Sequence, residues 1–351
     1  MKKSFQIGSA FVGLIVGAGF ASGQEVMQYF TSFGIWGTVG GIVATLLFIF
    51  LGFTFAQLGT DLQAASHKGV IYHIGGRYIG AILDILITFF LFGVAVVMFA
   101  GSGSTFEQMF GINTIAGSII MVTLTILTLL LNTQKIIGII AAITPYLIAI
   151  IFIILVYSIF TTDLSLAEAD AIAKEQASAA PNWLLSAFLY VSYNLAAGAA
   201  LLIVMSGGVK DRKVAGWGGI FGGIMLGGLI ILIHIGMFMK IDVVAGMDMP
   251  TLALAEQIHP FIGILMAITL LGMMYNTAVG MFYSFTVRFI APDSRAYKPA
   301  VVIIGLLGFA ASLVGFTTLV GKVYSTMGYL GFALIIAAII AWFRRGNTRV
   351  S

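Results

Sequence analysis

The sequence predicts an all-α membrane protein with ten transmembrane helices, arranged as a 5+5 inverted repeat. The first observation behind this prediction is composition. The 351 residues are 60% hydrophobic and 9% charged, whereas a soluble domain carries about 25% charged residues. The second is the presence of ten apolar segments, each long enough to cross a bilayer at about 20 residues per span. The third is that Lys and Arg cluster in alternate connections between these segments.

The ten segments divide the chain into two halves of similar length. They are residues 5 to 30, 35 to 58, 78 to 109, 113 to 131, 136 to 160, 183 to 206, 214 to 239, 260 to 289, 299 to 320 and 323 to 343. Residues 1 to 160 form the first half, 161 to 182 an external connection, 183 to 343 the second half, and 344 to 351 a basic cytoplasmic tail. Because five is an odd number, the two halves enter the membrane from opposite sides, so any repeat between them is inverted.

The basic residues indicate the orientation of the chain. With a cytoplasmic N-terminus, all but three of the seventeen Lys and Arg residues lie inside, the exceptions being Lys174, Lys240 and Lys322. The positive-inside rule therefore predicts that both termini are cytoplasmic. A cleaved secretory signal is the competing interpretation of the N-terminus. It is disfavoured because the chain soon becomes apolar again and removal of the segment would leave an odd number of spans.

The first segment contains helix-weakening residues in its middle. It reads FVGLIVGAGFASGQEVMQY, with Gly17, Gly19, Ser22 and Gly23 followed at once by Glu25. In hydrocarbon an unpaired backbone group costs several kcal/mol, so a break at this depth is tolerated where protein, water or a ligand satisfies the freed groups. The pattern predicts a broken helix over residues 16 to 23 and a binding site beside it.

The sixth segment has small residues at the corresponding place. Residues 193 to 199 read YNLAAGA, and paired weak points in two halves point to a transport site near the membrane midplane. We therefore predict that helix 6 is also broken. The alternative is that these small residues permit close packing between helices.

The residues from Val16 to Gly23, VGAGFASG, resemble the glycine-rich first-helix signature of the amino acid–polyamine–organocation superfamily. The 5+5 layout is similar to the leucine-transporter fold of that superfamily. From MKKSFQIGSAFVGLIVGAGFASGQE to its end, the chain resembles the YkvI-type membrane proteins of bacteria. The resemblance implies a transporter in the bacterial cytoplasmic membrane.

The resemblance also implies a substrate site between the two predicted breaks. The N–H groups that follow Gly17 would bind an anionic substrate group, because the start of a half-helix carries free donors and a partial positive charge. These donors belong to Ala18, Gly19 and Phe20. The facing wall comes from the third and sixth helices: Phe99, Gly103, Tyr190, Tyr193, Asn194 and Gly198.

A bound sodium ion is a further implication of the resemblance, and we expect no other cofactor. Sodium would lie between carbonyls of the first helix and polar groups of the eighth. The matching positions are Gly13, Val16, Met273, Asn276 and Thr277. The fifth segment lacks the Lys that proton-coupled members of the superfamily place here, which favours sodium slightly. Both Na⁺ and H⁺ remain candidate coupling ions.

Four ionisable residues within the segments have open roles. Glu25 would bind a substrate amine, carry a coupling proton or form an outer gate, or else it is a hydrated vestibule acid. Glu107 is read mainly as vestibular, with a gating or proton role as the alternative. His234 would relay protons or be a hydrogen-bonded structural residue. Asp84 follows Arg77 by seven residues, which favours an ion pair between them.

Two external connections predict short helices. Ser165 and Glu168 form a capping-box pattern. A second helix is predicted from Pro250, where the resembled fold carries an outer lid.

The function predicted is secondary active transport of an amino acid or similar small amine-bearing metabolite, by alternating access. An ion channel is the alternative, although no repeated ring of selectivity residues is present. The protein is not expected to be an enzyme, because the sequence lacks H-E-x-x-H, Walker and G-x-S-x-G motifs. Cys is absent, so neither disulfides nor thiolate metal ligands are available. The basic residues border apolar segments without forming a nucleic-acid patch, so the expected partners are the substrate, the coupling ion and the lipid bilayer.

Overall fold

The computed structural model describes residues 2–63, 67–131 and 144–347, which are almost entirely helical and contain no β-strand. The first half begins with three short helices, α1 (Lys2–Ile15), α2 (Ala18–Ala21) and α3 (Gln24–Tyr29). A 3-10 turn at Thr31–Phe33 leads to the long helices of this half, which are α4 (Ile35–Asp61), α5 (His67–Phe110), α6 (Thr114–Leu131) and α7 (Thr144–Phe160). Residues 136 to 143 of the predicted fifth segment lie outside the described residues.

The connection between the halves contains α8 (Leu166–Lys174). The second half follows, with α9 (Trp183–Gly207), α10 (Arg212–Met239), α11 (Ile241–Val244), α12 (Pro250–Ile258), α13 (Pro260–Thr286), α14 (Tyr297–Ser312), α15 (Phe316–Leu319) and α16 (Ser325–Asn347). A π-helical turn, Val320–Tyr324, joins α15 to α16. Both predicted external helices are confirmed, and the Ser165–Glu168 capping box is present at the start of α8.

Five of the described helices are long and apolar enough to cross a membrane. They are α4, the Asp84–Phe110 part of α5, α6, α10 and α13. A sixth candidate is formed by α14 together with the helical stretch Phe316–Phe332, and the angle between the two is 99°. An all-helical, multi-pass membrane protein is therefore confirmed. The count of ten spans and the inverted repeat remain predictions.

Close helix packing in the core depends on glycine. Helix α10 packs against α4 and α1. A Cβ on Gly219 of α10 would collide with the backbone of Gly52 in α4, and a Cβ on Gly222 would collide with the Phe11 ring. Without side chains at these positions the backbones approach closely, which is how helices associate where no hydrophobic effect drives them together.

The predicted break in the sixth helix is wrong, because α9 is continuous from Trp183 to Gly207. Alanine has the highest helix propensity, and a single glycine costs only about 1 kcal/mol. The Asn194 amide donates to the Tyr190 carbonyl one turn earlier, at 2.9 Å, so it stabilises the helix instead of opening it. A Cβ on Gly198 would lie 3.2 Å from the side chains of Ile15 and Phe11. This glycine thus serves close packing against α1.

Three predicted boundaries also need correction. The ninth segment ends at Ser312 and not at residue 320, because the chain turns at Gly315, whose φ of +96° favours glycine. The apolar residues in this turn hid it from a hydropathy reading. Helix α5 begins at His67, eleven residues before the predicted start. Helix α16 continues to Asn347, so the predicted tail begins inside a helix, and residues 348 to 351 lie outside the described residues.

Candidate functional site

The first segment is interrupted twice. After Ile15 the chain becomes extended at Gly17, whose N–H bonds to the Ile15 carbonyl at 2.8 Å instead of reaching back four residues. After the single turn of α2, the chain bends again at Gly23, where φ is +83°. Ser22 stabilises this second bend, since its hydroxyl donates to the Gly19 carbonyl at 2.7 Å and accepts from the Gln24 N–H at 3.2 Å.

The second bend folds Glu25 back onto α2. A straight helix would place Glu25 about 9 Å from Gly19 along its axis. In the structure, the Glu25 Oε1 atom occupies the position that a Cβ on Gly19 would take. Glycine is therefore required at position 19 for the carboxylate to lie there. The Glu25 side chain faces the interior, and the residue is 6% exposed. A hydrated vestibule acid does not describe this arrangement.

Helix α9 supplies the hydrogen bond that orients Glu25. The Tyr193 hydroxyl donates to the Oε2 atom at 2.6 Å, a short distance typical of a bond to a carboxylate. Among the described residues, the ion pairs are Lys174–Asp170, Arg212–Asp61 and Arg288–Asp84. Glu25 belongs to none of them.

Four buried tyrosines surround this carboxylate, and we call Tyr29, Tyr190, Tyr193 and Tyr324 the tyrosine cluster. The Tyr193 and Tyr324 rings are stacked with centroids 5.0 Å apart. Tyr29 and Tyr190 lie 5.6 and 5.4 Å from the Tyr193 ring. The Tyr324 hydroxyl lies 3.4 Å from the Cβ position of Gly19. Tyr324 ends the π-helical turn, a feature that is frequent at functional sites.

The connection between α10 and α13, which contains α12, closes over one side of this site. The Thr251 hydroxyl donates to the Ala21 carbonyl at 2.6 Å, and its N–H donates to the Ser22 carbonyl at 3.0 Å. The N-terminus of α12 therefore satisfies carbonyls that the break leaves free. Residues 18 to 32 are all buried.

A hydrogen-bonded cluster around Asp248 extends this outer closure. Its carboxylate accepts from the Ser104 hydroxyl at 2.6 Å and from the Thr317 hydroxyl at 2.5 Å, which connects α5 to α15. The side-chain amides of Gln24 and Gln28 donate to the Thr317 hydroxyl and carbonyl at 3.1 and 2.8 Å. Three separate parts of the chain thus meet above the break.

On the α1 side of the break, two glycines of the first segment are more accessible. Gly13 is exposed and Gly17 is half-buried. A Cβ on Gly13 would have no heavy atom within 4 Å, and a Cβ on Gly17 would have only the Ile15 carbonyl, at 3.9 Å. The structure is therefore closed on the α12 side of Glu25, and it leaves space beside Gly13 and Gly17 on the α1 side.

The two residues predicted on the third helix do not face Glu25. The Phe99 ring packs on Phe282, with centroids 6.1 Å apart, and against Gly308. A Cβ on Gly103 would collide with the Thr114 carbonyl in α6. Both residues contact neighbouring helices on another side of α5. The helix is rotated about its axis relative to the prediction that placed Phe99 and Gly103 toward the break.

The predicted sodium ligands are only partly organised. Because the Gly17 N–H turns to Ile15, the Gly13 carbonyl loses its helical donor. On α13, the Asn276 amide oxygen is buried and has no partner among the described residues. Val16 and Met273 are buried, and Thr277 is half-buried. These oxygen atoms suit a hard cation, and the sodium site stays a prediction.

Glu107 and His234 lie apart from the carboxylate at the break. Glu107 is exposed near the end of α5, as the vestibular interpretation predicts. His234 is buried between two hydroxyls, with Thr31 at 3.1 Å and Thr38 at 2.9 Å from its ring nitrogens. A neutral imidazole satisfies both contacts with one donor and one acceptor nitrogen. This favours a structural role for His234.

Asp84 forms an ion pair across helices with Arg288. The side chain of Arg77 lies outside the described ones, so the predicted Asp84–Arg77 pair stays a prediction. The Asp84 carboxylate accepts from the Arg288 guanidinium at 3.0 Å, and the same group reaches Thr88 at 2.8 Å. The pair connects α5 to the end of α13. The Arg212–Asp61 pair, at 3.6 Å, similarly connects α10 to α4.

Sequence reasoning missed Tyr29, Tyr324, Gln24 and Asp248. Tyr29 follows Glu25 by four residues, so helical spacing placed them on one face and offered a usable signal. Tyr324 and Asp248 are distant in sequence, and no local pattern predicts that they approach the break. Only the folded chain brings them together.

Comparison with known proteins identifies relatives over nearly the full chain. No protein family model matches. The membrane protein YkvI of Bacillus subtilis is 25% identical over 346 residues, covering 95% of this chain and 94% of that protein. YyaD of the same organism is 24% identical over 335 residues, covering 94% of each.

Solved structures of membrane transporters share the fold. MhsT in complex with L-phenylalanine matches with a TM-score of 0.63 and 18% identity, covering 96% of this chain and 88% of that one. An inward-facing conformation of Mhp1 matches with a TM-score of 0.63 and 14% identity, covering 95% and 74%. A manganese transporter mutant from Eremococcus coleocola matches with a TM-score of 0.57 and 17% identity, covering 96% and 78%.

These neighbours are transporters, which agrees with the prediction that the chain is not an enzyme. The resemblance of the whole chain to YkvI-type proteins is confirmed. The chain is thus similar along almost its whole length to YkvI-type membrane proteins, and it has the leucine-transporter fold.

Proposed function

We propose that the protein is a secondary active transporter that moves an amino acid or a similar small amine-bearing metabolite by alternating access. It uses a Na⁺ or H⁺ gradient across the bacterial cytoplasmic membrane, with both termini inside. One observation carries the proposal: Glu25 is buried at the break in the first segment, oriented by Tyr193 from the second half.

The cost of burying a carboxylate supports this interpretation. An isolated buried charge is expensive, and buried acids in membrane segments generally mark a substrate or ion pathway. A tyrosine hydroxyl offsets only part of that cost. A substrate ammonium group, or a transported proton, would neutralise Glu25 during part of the cycle. The residue therefore couples binding to the charge state of the site.

The contacts on the two sides of Glu25 support alternating access. The outer side is closed by α12 and by the cluster around Asp248. Toward the ends predicted to be cytoplasmic, the Arg288–Asp84 and Arg212–Asp61 pairs join helices of the first half to helices of the second. Polar contacts of this kind can form in one conformation and break in another. The inverted 5+5 repeat would relate the two halves.

The coupling ion is proposed from two local features. The free Gly13 carbonyl and the buried Asn276 amide oxygen support sodium, since oxygen ligands suit this ion. Glu25 supports a proton, because it is a buried carboxylate with no cationic partner among the residues that the structure describes, and such a group can accept one. Sodium coupling predicts uptake that requires a sodium gradient, and proton coupling predicts uptake that requires a pH gradient.

Two other functions fit the site less well. Transport of a divalent metal normally needs several His, Cys, Asp or Glu ligands, and no group of three or more occurs among the residues with described positions. A channel would need a continuous polar path, whereas the outer side of Glu25 is closed by buried side chains.

The test is uptake of labelled amino acids and amines into proteoliposomes that contain the full chain. We expect saturable accumulation that requires a sodium or a pH gradient, and loss of substrate affinity in Glu25→Gln. Glu175, an exposed acid on the external connection, provides the matched control Glu175→Gln. Flux that never exceeds equilibrium under any gradient would contradict active transport and favour the channel.

A further inference from the structure

We propose that this site selects organic cations that lack a carboxylate, such as primary amines, over the corresponding amino acids. This proposal rests on the transport function proposed above and names its substrate class. It follows from three features: the position of Glu25, the absence of a cation paired with it in the described part of the chain, and the arrangement of the tyrosine cluster.

The first feature is that the protein places its own carboxylate at the break. Glu25 Oε1 lies against the backbone of Gly19, where the sequence predicted that a substrate anion would approach. Two unit charges of the same sign repel by about 4 kcal/mol at 4 Å and an effective dielectric constant of 20. A substrate carboxylate beside ionised Glu25 would therefore be unfavourable.

The second feature is that nothing in the described part of the chain neutralises Glu25. Its one recorded hydrogen-bond donor is the neutral Tyr193 hydroxyl, and the three ion pairs lie elsewhere. The recorded contacts of the tyrosine cluster likewise include no Lys or Arg side chain that could receive a substrate carboxylate. When Glu25 is ionised the site carries a negative charge, and a cationic substrate would offset the cost of burying that charge.

The third feature is the aromatic surface around the carboxylate. Ring faces carry negative electrostatic potential and attract cations within about 6 Å of the centroid. Tyr324 and Tyr193 present stacked rings beside Glu25, and Tyr29 and Tyr190 are next to them. An ammonium group that donated to Glu25 would lie close to these ring faces. Aromatic rings and one carboxylate together recognise organic cations of this kind.

The direct test compares compounds that differ only in the carboxylate. Purified full-length protein is tested by thermal stabilisation, and the same protein in proteoliposomes by uptake. The probes are agmatine with arginine, putrescine with ornithine, and tyramine with tyrosine. We expect the preferred pair to show at least about tenfold tighter binding of the amine. Equal or tighter binding of the amino acids would overturn this inference and leave the transport proposal intact. If neither member of any pair binds or is transported, the amine-transport proposal and this inference both fail.

Variants locate the effect at the site. Glu25→Gln should weaken amine binding by about 10-fold to 100-fold, the usual range for a lost bond to a charged group. The Glu175→Gln control should leave it unchanged. Unaltered binding in Glu25→Gln would overturn the assignment.

Tyr324 provides a second route if Glu25→Gln does not fold. Tyr324→Phe keeps the ring and should bind amines within about threefold of wild type, whereas Tyr324→Leu should lose about 3-fold to 30-fold. Equal binding by the Phe and Leu variants would show that the ring face does not hold the cation, and would overturn the inference.

Discussion

Replacement of Gly19 by alanine tests the geometry at the break most directly. The added Cβ would occupy the place of the Glu25 Oε1 atom and lie 3.2 Å from the Glu25 carboxyl carbon. Van der Waals contact would then require the carboxylate to move by about 1 Å. The Tyr193 hydroxyl, now 2.6 Å from Oε2, would lose its bond or follow the carboxylate out of the tyrosine cluster.

The expected loss of stability follows from the hydrogen bond between Tyr193 and Glu25. A hydrogen bond to a charged group contributes about 1.5–3 kcal/mol, whereas replacing glycine by alanine in a helix gains about 0.5–1 kcal/mol. We therefore expect Gly19→Ala to lower the free energy of unfolding by about 0.5–2.5 kcal/mol. Amine binding should fall at least about tenfold, which corresponds to about 1.4 kcal/mol. Gly19→Leu should abolish binding and still insert into the membrane, because leucine is more apolar than glycine.

Gly228→Ala is the matched control, since its Cβ would have no heavy atom within 4 Å. Both variants are compared with wild type by thermal unfolding in detergent and by ligand binding. We expect Gly228→Ala to unfold at the wild-type temperature or above it, and Gly19→Ala to unfold below it. Equal stability and equal binding in the two variants would refute the placement of Glu25 beside Gly19.

Three further predictions concern the outer side. Asp248→Ala removes the acceptor of two hydroxyl groups. It should therefore increase the labelling, by a membrane-impermeant reagent, of a cysteine introduced at Gln24. Unchanged labelling would show that the outer closure does not depend on Asp248. Gly23→Ala would place a side chain at a φ of +83° and within 2.9 Å of Met237 and Thr251. It should therefore destabilise the protein by more than about 1 kcal/mol, and a wild-type melting temperature would contradict this. Hydrogen bonds from Lys174 and the Ile35 N–H lower the pKa of Asp170 in the folded protein. The stability that Asp170 contributes by holding α8 against the start of α4 is therefore present above the unfolded pKa. It is lost as the pH falls through the lower folded pKa. Protease protection of the external connection should therefore stay constant from about pH 8 to pH 5, and a loss within that range would contradict the docked geometry.

The sequence alone determined the class of the protein and the place of the break in its first segment. Composition and segment length specify an all-helical membrane protein, because hydrocarbon excludes unpaired backbone groups whatever the tertiary fold. The glycines and Ser22 in the first segment are weak helix formers on any helix, so residues 16 to 23 marked the irregular region. Local chemistry also sufficed for the Ser165 cap and the helix at Pro250, since both signals lie within a few residues.

Tertiary structure decided where the side chains of the site point. The YNLAAGA sequence of the sixth segment is compatible with a break or with close packing, and the contact of Gly198 with Ile15 and Phe11 selects the continuous helix. Asp84 pairs with Arg288, which is 204 residues away on another helix and which no local pattern around Asp84 indicates. Glu25 lies beside Gly19 because the bend at Gly23 reverses its direction, and Tyr324 reaches it through a π-helical turn. Such contacts depend on backbone geometry and helix rotation between distant segments, which the order of residues along a single segment does not encode.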